Sequence, residues 1–212
     1  MYTLYGKQGA GSAAVEAALT LAHAPFHFIE TAAGAQNDAY SDLLAVNPLG
    51  QIPTLVLDDG SAMSESAAIL MHLADAHPDA KLLPAKASAR AQALRGLVFI
   101  AANCYAAISI IDFPERWCEN AEGDEAVQER IRNGTRARLH RHWNMFADVF
   151  PARPWLSGEQ IGALDLLATV VSKWSGTRPH LERERPALYE TLLRVEAHPG
   201  VAPVFARNWP QE

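Results

Sequence analysis

The sequence contains little cysteine, and this scarcity limits the classes of protein to which it can belong. Cys104 and Cys118 are the two cysteines among 212 residues, and they do not form a C-x-x-C pair. A disulfide framework needs several paired cysteines, and a structural zinc site needs clustered cysteine and histidine ligands. The eight histidines include no H-E-x-x-H motif. We therefore expect neither a disulfide scaffold nor a metal site.

The sequence also lacks a leader pattern, a long apolar run and an excess of basic residues. Residues 1–12 contain no basic segment followed by an apolar core, as a secretory signal would. No apolar run continues uninterrupted for about 18 residues, so we expect no membrane span. Acidic residues outnumber basic ones by 24 to 18, giving a net charge of −6. This balance argues against nucleic acid or a membrane surface as partner, and we expect a cytoplasmic protein.

What the sequence does contain is enough apolar residues for a large core. Hydrophobic residues make up 49% of the chain and charged residues 20%, which is typical of globular proteins. The length of 212 residues exceeds one average domain of roughly 150 residues. The chain is therefore long enough for two small domains.

The first third of the chain alternates between strand and helix patterns. Short β-prone runs at 2–5, 26–30 and 54–57 are separated by helical stretches at 13–22 and 38–46, and a further helix follows at 64–76. The turn at 58–60 predicts a hairpin with a return strand at 62–63. The first strand–helix–strand unit implies parallel pairing, and the hairpin adds an antiparallel edge. We predict a mixed four-stranded sheet with helices on both faces.

The pattern changes after Pro84, beyond which no strand alternation is recognisable. Helical stretches separated by proline-containing breaks extend over residues 88–111, 125–150, 163–174, 186–197 and 201–207. We therefore predict an α/β domain at residues 1–77 and an all-α domain at residues 86–212. Within the second domain, Asp165 is expected to bond back to the N–H of Gly162 as a helix cap.

Residues 47–69 are the most informative stretch of the sequence. Residues 47–55 read NPLGQIPTL, and residues 65–69 read ESAAI. Both resemble motifs of the glutathione transferase family, N-P-x-G-[KQ]-[VI]-P-x-L and E-S-x-A-I, and the resemblance covers both domains in order and length. It implies a thioredoxin-like N-terminal domain followed by an all-α helical domain, with glutathione as co-substrate and a homodimeric assembly.

The residues of these motifs suit a peptide ligand such as glutathione. Proline removes most of the trans preference of the preceding bond, so Ile52–Pro53 is a candidate cis peptide. A cis bond would turn the backbone of Ile52 outward, where a peptide ligand can pair with it as an added strand. Ser66 at a helix N-terminus suits a carboxylate, and Glu65 suits an amine. Gln51 could donate to the ligand from the loop.

The group that would activate the thiol is less clearly encoded. The family carries a Tyr, Ser or Cys near the start of the first helix, and the cysteine-bearing bacterial branch resembles G-A-C-S, where this sequence has Gly11 in place of the cysteine. Ser12 is the nearest hydroxyl and could lower the thiol pKa, or it could serve only as the helix N-cap. Tyr5 is the second candidate. The backbone N–H groups of Gly11 and Ser12 could act without a side chain.

An electrophile pocket is expected between the two domains. Helical spacing along the stretch from Ser88 predicts a face made of Phe99, Asn103, Ala106 or Ala107, and Ile110. Asn103 could equally be satisfied within the core or at a dimer contact. Aromatic residues nearby that could enter the pocket are Tyr105, Phe113 and Trp117.

Three functions are compatible with this sequence. The leading hypothesis is a detoxifying glutathione transferase, in which the glutathione thiolate attacks a small hydrophobic electrophile. The second is a glutathione-dependent peroxidase, thiol reductase or isomerase on the same fold. A reductase that uses a protein cysteine is disfavoured, because no cysteine lies near the first helix. The third is a transferase-like binding module without catalysis.

Overall fold

The computed structural model describes residues 1–119 and 122–210. Its first part is a small sheet with helices, built from short segments in the order that the sequence pattern predicts. The strands are β1 (Tyr2–Gly6), β2 (Phe26–Glu30), β3 (Thr54–Val56) and β4 (Ala62–Met63), and the helices are α1 (Ser12–Leu21), α2 (Asp38–Val46) and α3 (Ser66–Ala76).

The sheet has four strands in the order β2-β1-β3-β4. β1 and β2 are parallel, with Leu4 opposite Phe28. β1 and β3 are antiparallel, with Leu4 opposite Leu55, and β3 pairs with β4 through the hairpin, with Leu55 opposite Met63. The predicted parallel unit, the hairpin and the mixed sheet are therefore confirmed. Leu4 and Leu55 are fully buried beneath α1 and α3, which pack against one another.

The second part of the described chain consists of helices. They are α4 (Ala87–Phe99), α5 (Ala106–Asp112), α6 (Glu125–Val149), α7 (Ala163–Val171), α8 (Thr177–Glu184), α9 (Pro186–Glu196) and α10 (Ala202–Asn208). The sequence pattern predicts all of these except α8. That helix carries Pro179 in its first turn and buries only Thr177 and Leu181, so its apolar periodicity is weak.

A π-helical segment, Ile100–Tyr105, joins α4 to α5, where a single α-helix was predicted. The three segments form one continuous helical stretch over 87–112, with a mean hydropathy of 1.8 in its most apolar window. By length and composition alone this stretch could cross a membrane, which differs from the expectation drawn from the sequence. Core helices of soluble proteins have the same composition, and this stretch packs against α6 and α7.

α7 lies at the centre of the molecule, and all nine of its residues are buried. It packs against α1 and α3 of the first part and against α4 and α9 of the second. Leu164 of α7 approaches α4 so closely that a Cβ placed on Gly96 would lie 2.7 Å from its side chain. One continuous core therefore includes residues of both parts, and the division into domains at 1–77 and 86–212 stays a prediction.

Asp165 fixes the start of α7 from a fully buried position. Its carboxylate accepts hydrogen bonds from the backbone N–H groups of Leu156 at 2.7 Å, Ser157 at 2.9 Å and Gly162 at 3.1 Å. The expected bond to Gly162 is confirmed. Two further bonds, which the local pattern did not predict, attach the preceding loop to the same helix end. The carboxylate therefore orders both the loop and the central helix.

Candidate functional site

A cavity of about 680 Å³ opens between the loops of the first part and the helices of the second. The first part contributes five of the residues expected to bind glutathione, Gln51, Ile52, Pro53, Glu65 and Ser66. The opposite wall is mainly apolar and comes from the helical stretch 87–112 and the turn that follows it. Its residues include Ala101, Tyr105, Ala106, Ile108, Asp112 and Phe113.

The Ile52–Pro53 peptide bond is cis, as the sequence predicts. Asn47, the first residue of the motif, stabilises the loop that precedes this bond. It is buried at the end of α2. The Asn47 amide donates to the carbonyl of Gln51 at 3.2 Å and to the hydroxyl of Thr54 at 2.8 Å. The sequence alone does not indicate this role of Asn47. Its side chain fixes the loop that presents Ile52 to the cavity.

Ser66 and Glu65 lie at the N-terminus of α3 with their side chains in contrasting environments. Ser66 is the first residue of the helix and is only 5% exposed. Its hydroxyl is buried and has no hydrogen-bond partner among the described residues. Glu65 is exposed, and its backbone has a positive φ of 67°, which side-chain-bearing residues rarely adopt. A buried polar group without a hydrogen-bond partner destabilises the folded state, so the Ser66 hydroxyl is suited to bind a ligand.

Ser12 lies outside the lining of this cavity. It is the first residue of α1, and the N-cap is Gly11, so the expectation that Ser12 caps the helix is wrong. The physical reason is that its hydroxyl turns back to the preceding loop. There it accepts from the N–H of Lys7 at 3.2 Å and donates to the carbonyl of Lys7 at 3.1 Å. Its side chain packs on Gly6 and is 1% exposed.

Tyr5, the second hydroxyl candidate, is also absent from the lining. It pairs with Thr54 and Ile29 within the sheet and is buried. Burial and, secondarily, the charge of Asp42 raise the pKa of Tyr5. Because Asp42 belongs to α2, this side chain faces the α2 side of the sheet.

Tyr105 is the aromatic residue that the structure brings to the start of α1. A Cβ built on Gly11 would lie 1.9 Å from the Tyr105 hydroxyl oxygen, so this hydroxyl fills the space of a side chain at position 11. The ring stacks on Trp174 with centroids 5.6 Å apart. Burial and, secondarily, the charge of Glu65 raise the pKa of Tyr105 to about 12. The sequence predicts Tyr105 as a pocket aromatic but does not predict its contact with Gly11.

Phe99 and Asn103 do not line the cavity, although the sequence predicts them in the electrophile pocket. Phe99 packs against Phe146 and Phe150, with ring centroids 5.9 Å apart in both pairs. The Asn103 side-chain amide donates to the backbone carbonyl of Phe99 at 3.1 Å, and the backbone carbonyl of Asn103 bonds to the His142 ring at 2.8 Å. The side-chain N–H group of Asn103 therefore bonds within the helical layer, the alternative that the sequence left open.

Of the two alanines predicted as alternatives for this face, Ala106 lines the cavity and Ala107 does not, and Ile110 is also absent from the lining. Ala101, Tyr105 and Ile108 line the cavity beside Ala106. Beyond Arg95 the helical stretch carries few polar residues, so periodicity alone does not tell which face meets α6 and which meets the cavity. Packing of the neighbouring helices decides this choice.

Neither cysteine nor metal chemistry gains support from the described residues. Cys104 is fully buried, and burial raises the pKa of its thiol to about 12. Cys118 is exposed and does not line the cavity. Across residues 1–119 and 122–210, no group of three or more His, Cys, Asp or Glu side chains is placed to hold a metal ion. The polar groups that the described residues offer to the cavity are therefore hydroxyl, carboxylate, amide, guanidinium and backbone groups.

Comparison with known proteins gives consistent matches. A family model for the N-terminal domain of glutathione S-transferases matches residues 12–76. YncG of Escherichia coli K12, described as an uncharacterized GST-like protein, is 32% identical over 176 residues, or 82% of each chain. The glutathione S-transferase GstA of Escherichia coli O157:H7 is 28% identical over 135 residues, which cover 63% of this chain and 62% of GstA.

Solved structures share the fold over nearly the whole chain. BphK, a bacterial glutathione S-transferase solved as a ternary complex, superimposes with a TM-score of 0.81 at 27% identity, covering 97% of this chain and 98% of that one. A glutathione transferase homologue from Sulfitobacter with bound glutathione gives a TM-score of 0.83 at 23% identity and covers 96% of both chains. The predicted thioredoxin-like and all-α architecture is confirmed. The chain belongs to the glutathione S-transferase family and resembles its bacterial members.

Proposed function

We propose that the protein binds glutathione in this cavity and that the bound thiolate attacks a small hydrophobic electrophile. The observation that carries the proposal is the Ser66 hydroxyl, which is buried at the N-terminus of α3 without a partner and lines the cavity. A helix N-terminus favours an anion because its first N–H groups lack intrahelical partners. The α-carboxylate of the γ-glutamyl unit supplies both the charge and the missing acceptor.

The remaining groups of glutathione match neighbouring residues. Glu65 adjoins Ser66 and offers a carboxylate to the α-ammonium group of the same γ-glutamyl unit. Ile52 lines the cavity and offers backbone groups to the cysteinyl unit, which pairs as a short added strand. Gln51 contributes a further donor from the same loop. This arrangement leaves the cysteinyl sulfur facing the apolar helical wall.

The apolar wall suits an electrophile of modest size. Ala101, Ala106 and Ile108 present small or aliphatic side chains, and Phe113 adds an exposed ring at the rim. In the reaction, the thiol first loses its proton to solvent. The sulfur then forms a bond to the electrophilic carbon, and the bond to the leaving group breaks, so that the leaving group departs with the electron pair. With a chloro-nitro aromatic compound the products are the thioether and chloride.

The assembly is proposed to be a homodimer acting in cytoplasmic detoxification. Three large apolar side chains are exposed on neighbouring parts of the helical layer, Val98 of α4 and Met145 and Val149 of α6. Their exposed fractions are 55%, 49% and 44%. Contact with a second copy removes this surface from water.

Calorimetric titration with glutathione tests the binding site. Ser66→Ala and Glu65→Gln should each weaken affinity about tenfold or more, because a hydrogen bond to a charged group contributes roughly 1.5–3 kcal/mol. Ser41→Ala is the matched control, since its hydroxyl bonds to the Asn37 carbonyl on the exposed face of α2. Unchanged affinity in both site variants would move glutathione to another place on the molecule.

The reaction type is tested separately with the wild-type protein. Chloride release from a chloro-nitro aromatic compound in the presence of glutathione supports conjugation. Turnover of peroxides or disulfides with no conjugation would favour the reductase alternative. Retention on immobilised glutathione with neither activity would leave only the binding-module alternative.

A further inference from the structure

The Tyr105 hydroxyl stands where the family places an activating side chain. The position of a Cβ on Gly11 is 1.9 Å from this oxygen and 3.0 Å from the ring carbon Cζ. Gly11 is the N-cap of α1 in the α/β part, whereas Tyr105 ends the π-helical segment in the helical part. The missing side chain at position 11 is thus replaced in space by a hydroxyl from the opposite wall.

This hydroxyl is available as a donor. Within the described ranges, 1–119 and 122–210, the Tyr105 hydroxyl forms no hydrogen bond, and the residue lines the cavity. Ser12, by contrast, already uses its hydroxyl in both directions with Lys7. The ring of Tyr105 is held by stacking on Trp174, which limits the positions that its hydroxyl can reach. A fixed donor without a competing partner loses little on meeting a ligand.

The protonation state of Tyr105 suits the same role. Burial and the charge of Glu65 raise its pKa to about 12, so the phenol keeps its proton through the whole pH range in which a thiol titrates. A neutral phenol donates a hydrogen bond to a thiolate more favourably than to a thiol, and such a bond lowers the thiol pKa. The N-terminus of the ten-residue helix α1 acts in the same direction.

We infer that Tyr105 is a catalytic residue whose hydroxyl donates a hydrogen bond to the thiolate of bound glutathione. Tyr105 keeps its own proton, and the proton released by the thiol goes to solvent. The inference rests on the proposed function, because it requires that glutathione occupies the cavity with its sulfur near the start of α1. It assigns thiol activation to the helical part of the chain instead of to Ser12 or Tyr5.

The test is the pKa of the bound thiol, followed by the ultraviolet absorbance of the thiolate in the wild type and in Tyr105→Phe. The variant keeps the ring that stacks on Trp174 and removes only the oxygen. The thiol pKa should rise by about one to two units, because loss of this hydrogen bond weakens the stabilisation of the thiolate roughly ten- to a hundredfold. The rate of conjugation near neutral pH should fall by the same factor, and this loss should shrink at high pH.

Binding of S-methylglutathione, which has no ionisable thiol, separates activation from simple structural damage. Its affinity should be equal in the wild type and in Tyr105→Phe, and altered affinity would assign Tyr105 a general binding role instead. If Tyr105→Phe does not fold, Gly11→Ala decides, because the added methyl pushes the hydroxyl away and should also raise the thiol pKa.

The outcomes distinguish the inference from the proposed function. Failure of the wild type to bind glutathione would overturn both. Binding with a lowered thiol pKa that Tyr105→Phe leaves unchanged would overturn only the role of Tyr105. A thiol pKa raised by Ser12→Ala and not by Tyr105→Phe would return activation to Ser12.

Discussion

Adding a methyl group at Gly11 should destabilise the protein only while the Tyr105 hydroxyl is present. Ordinary contact with a Cβ begins at 3.4 Å, so the hydroxyl oxygen must retreat by roughly 1.5 Å, the difference between 3.4 and 1.9 Å. Stacking on Trp174 opposes this retreat. Overpacking of this kind costs about 1–3 kcal/mol.

Gly11→Ala should also have a stabilising effect, which becomes measurable when the clash with the Tyr105 hydroxyl is removed. Gly11 has φ −59° and ψ −20°, a helical conformation that alanine adopts without strain. Replacing glycine with alanine at such a position stabilises by about 0.4–1 kcal/mol through the unfolded chain. In a Tyr105→Phe background the nearest atom is the ring carbon at 3.0 Å, which needs a much smaller shift. Gly11→Ala should therefore change from destabilising to nearly neutral.

Urea unfolding of the wild type, both single variants and the double variant measures this as a thermodynamic cycle. We expect a coupling energy of about 1–3 kcal/mol. Gly134→Ala is the control, because it lies within α6 and an added Cβ meets nothing within 4 Å. It should stabilise both backgrounds by about 0.5–1 kcal/mol. Additive effects of Gly11→Ala and Tyr105→Phe, to within about 0.5 kcal/mol, would refute the contact between them.

Two further predictions concern stability and assembly. Asp165→Ala leaves two buried N–H groups and one partly buried N–H group without an acceptor, and it should cost at least about 3 kcal/mol in urea unfolding. Asp124→Ala, which removes an exposed cap bonded to Val127, should cost about 0.5–2 kcal/mol, and equal losses in the two variants would contradict this role of Asp165. In sedimentation velocity the wild type should migrate as a dimer and Met145→Glu as a monomer, because the charge would be buried at the proposed contact; a monomeric wild type would exclude that contact.

The elements of the fold that the sequence predicts correctly depend on short-range chemistry. The turn at 58–60 specifies its hairpin through residues that adopt turn conformations, and Asp165 lies at the capping distance from Gly162. The sequence does not predict α8, because Pro179 and the small number of buried residues leave its apolar periodicity weak. The π-helical segment has no local signal, since its sequence, IAANCY, contains no glycine or proline that would interrupt an α-helix.

The candidate site divides in the same way. Gln51 to Pro53 and the pair Glu65 and Ser66 share the cavity, as expected from motifs whose spacing is local. The place of Tyr105 depends instead on the packing of α6 and α7 against the π-helical segment, which the local sequence does not specify. The bonds of Ser12 with Lys7 likewise depend on the loop conformation before α1.

The positive φ of Glu65 creates a conflict between thermal stability and activity at this position. A side-chain-bearing residue in so sparsely populated a conformation costs about 1–3 kcal/mol, and glycine would relieve most of that cost. Directed evolution for a higher melting temperature alone would therefore favour glycine at position 65 and discard the carboxylate proposed to hold the ammonium group. Engineering a more robust catalyst from this scaffold should leave position 65 unaltered and seek its gains elsewhere.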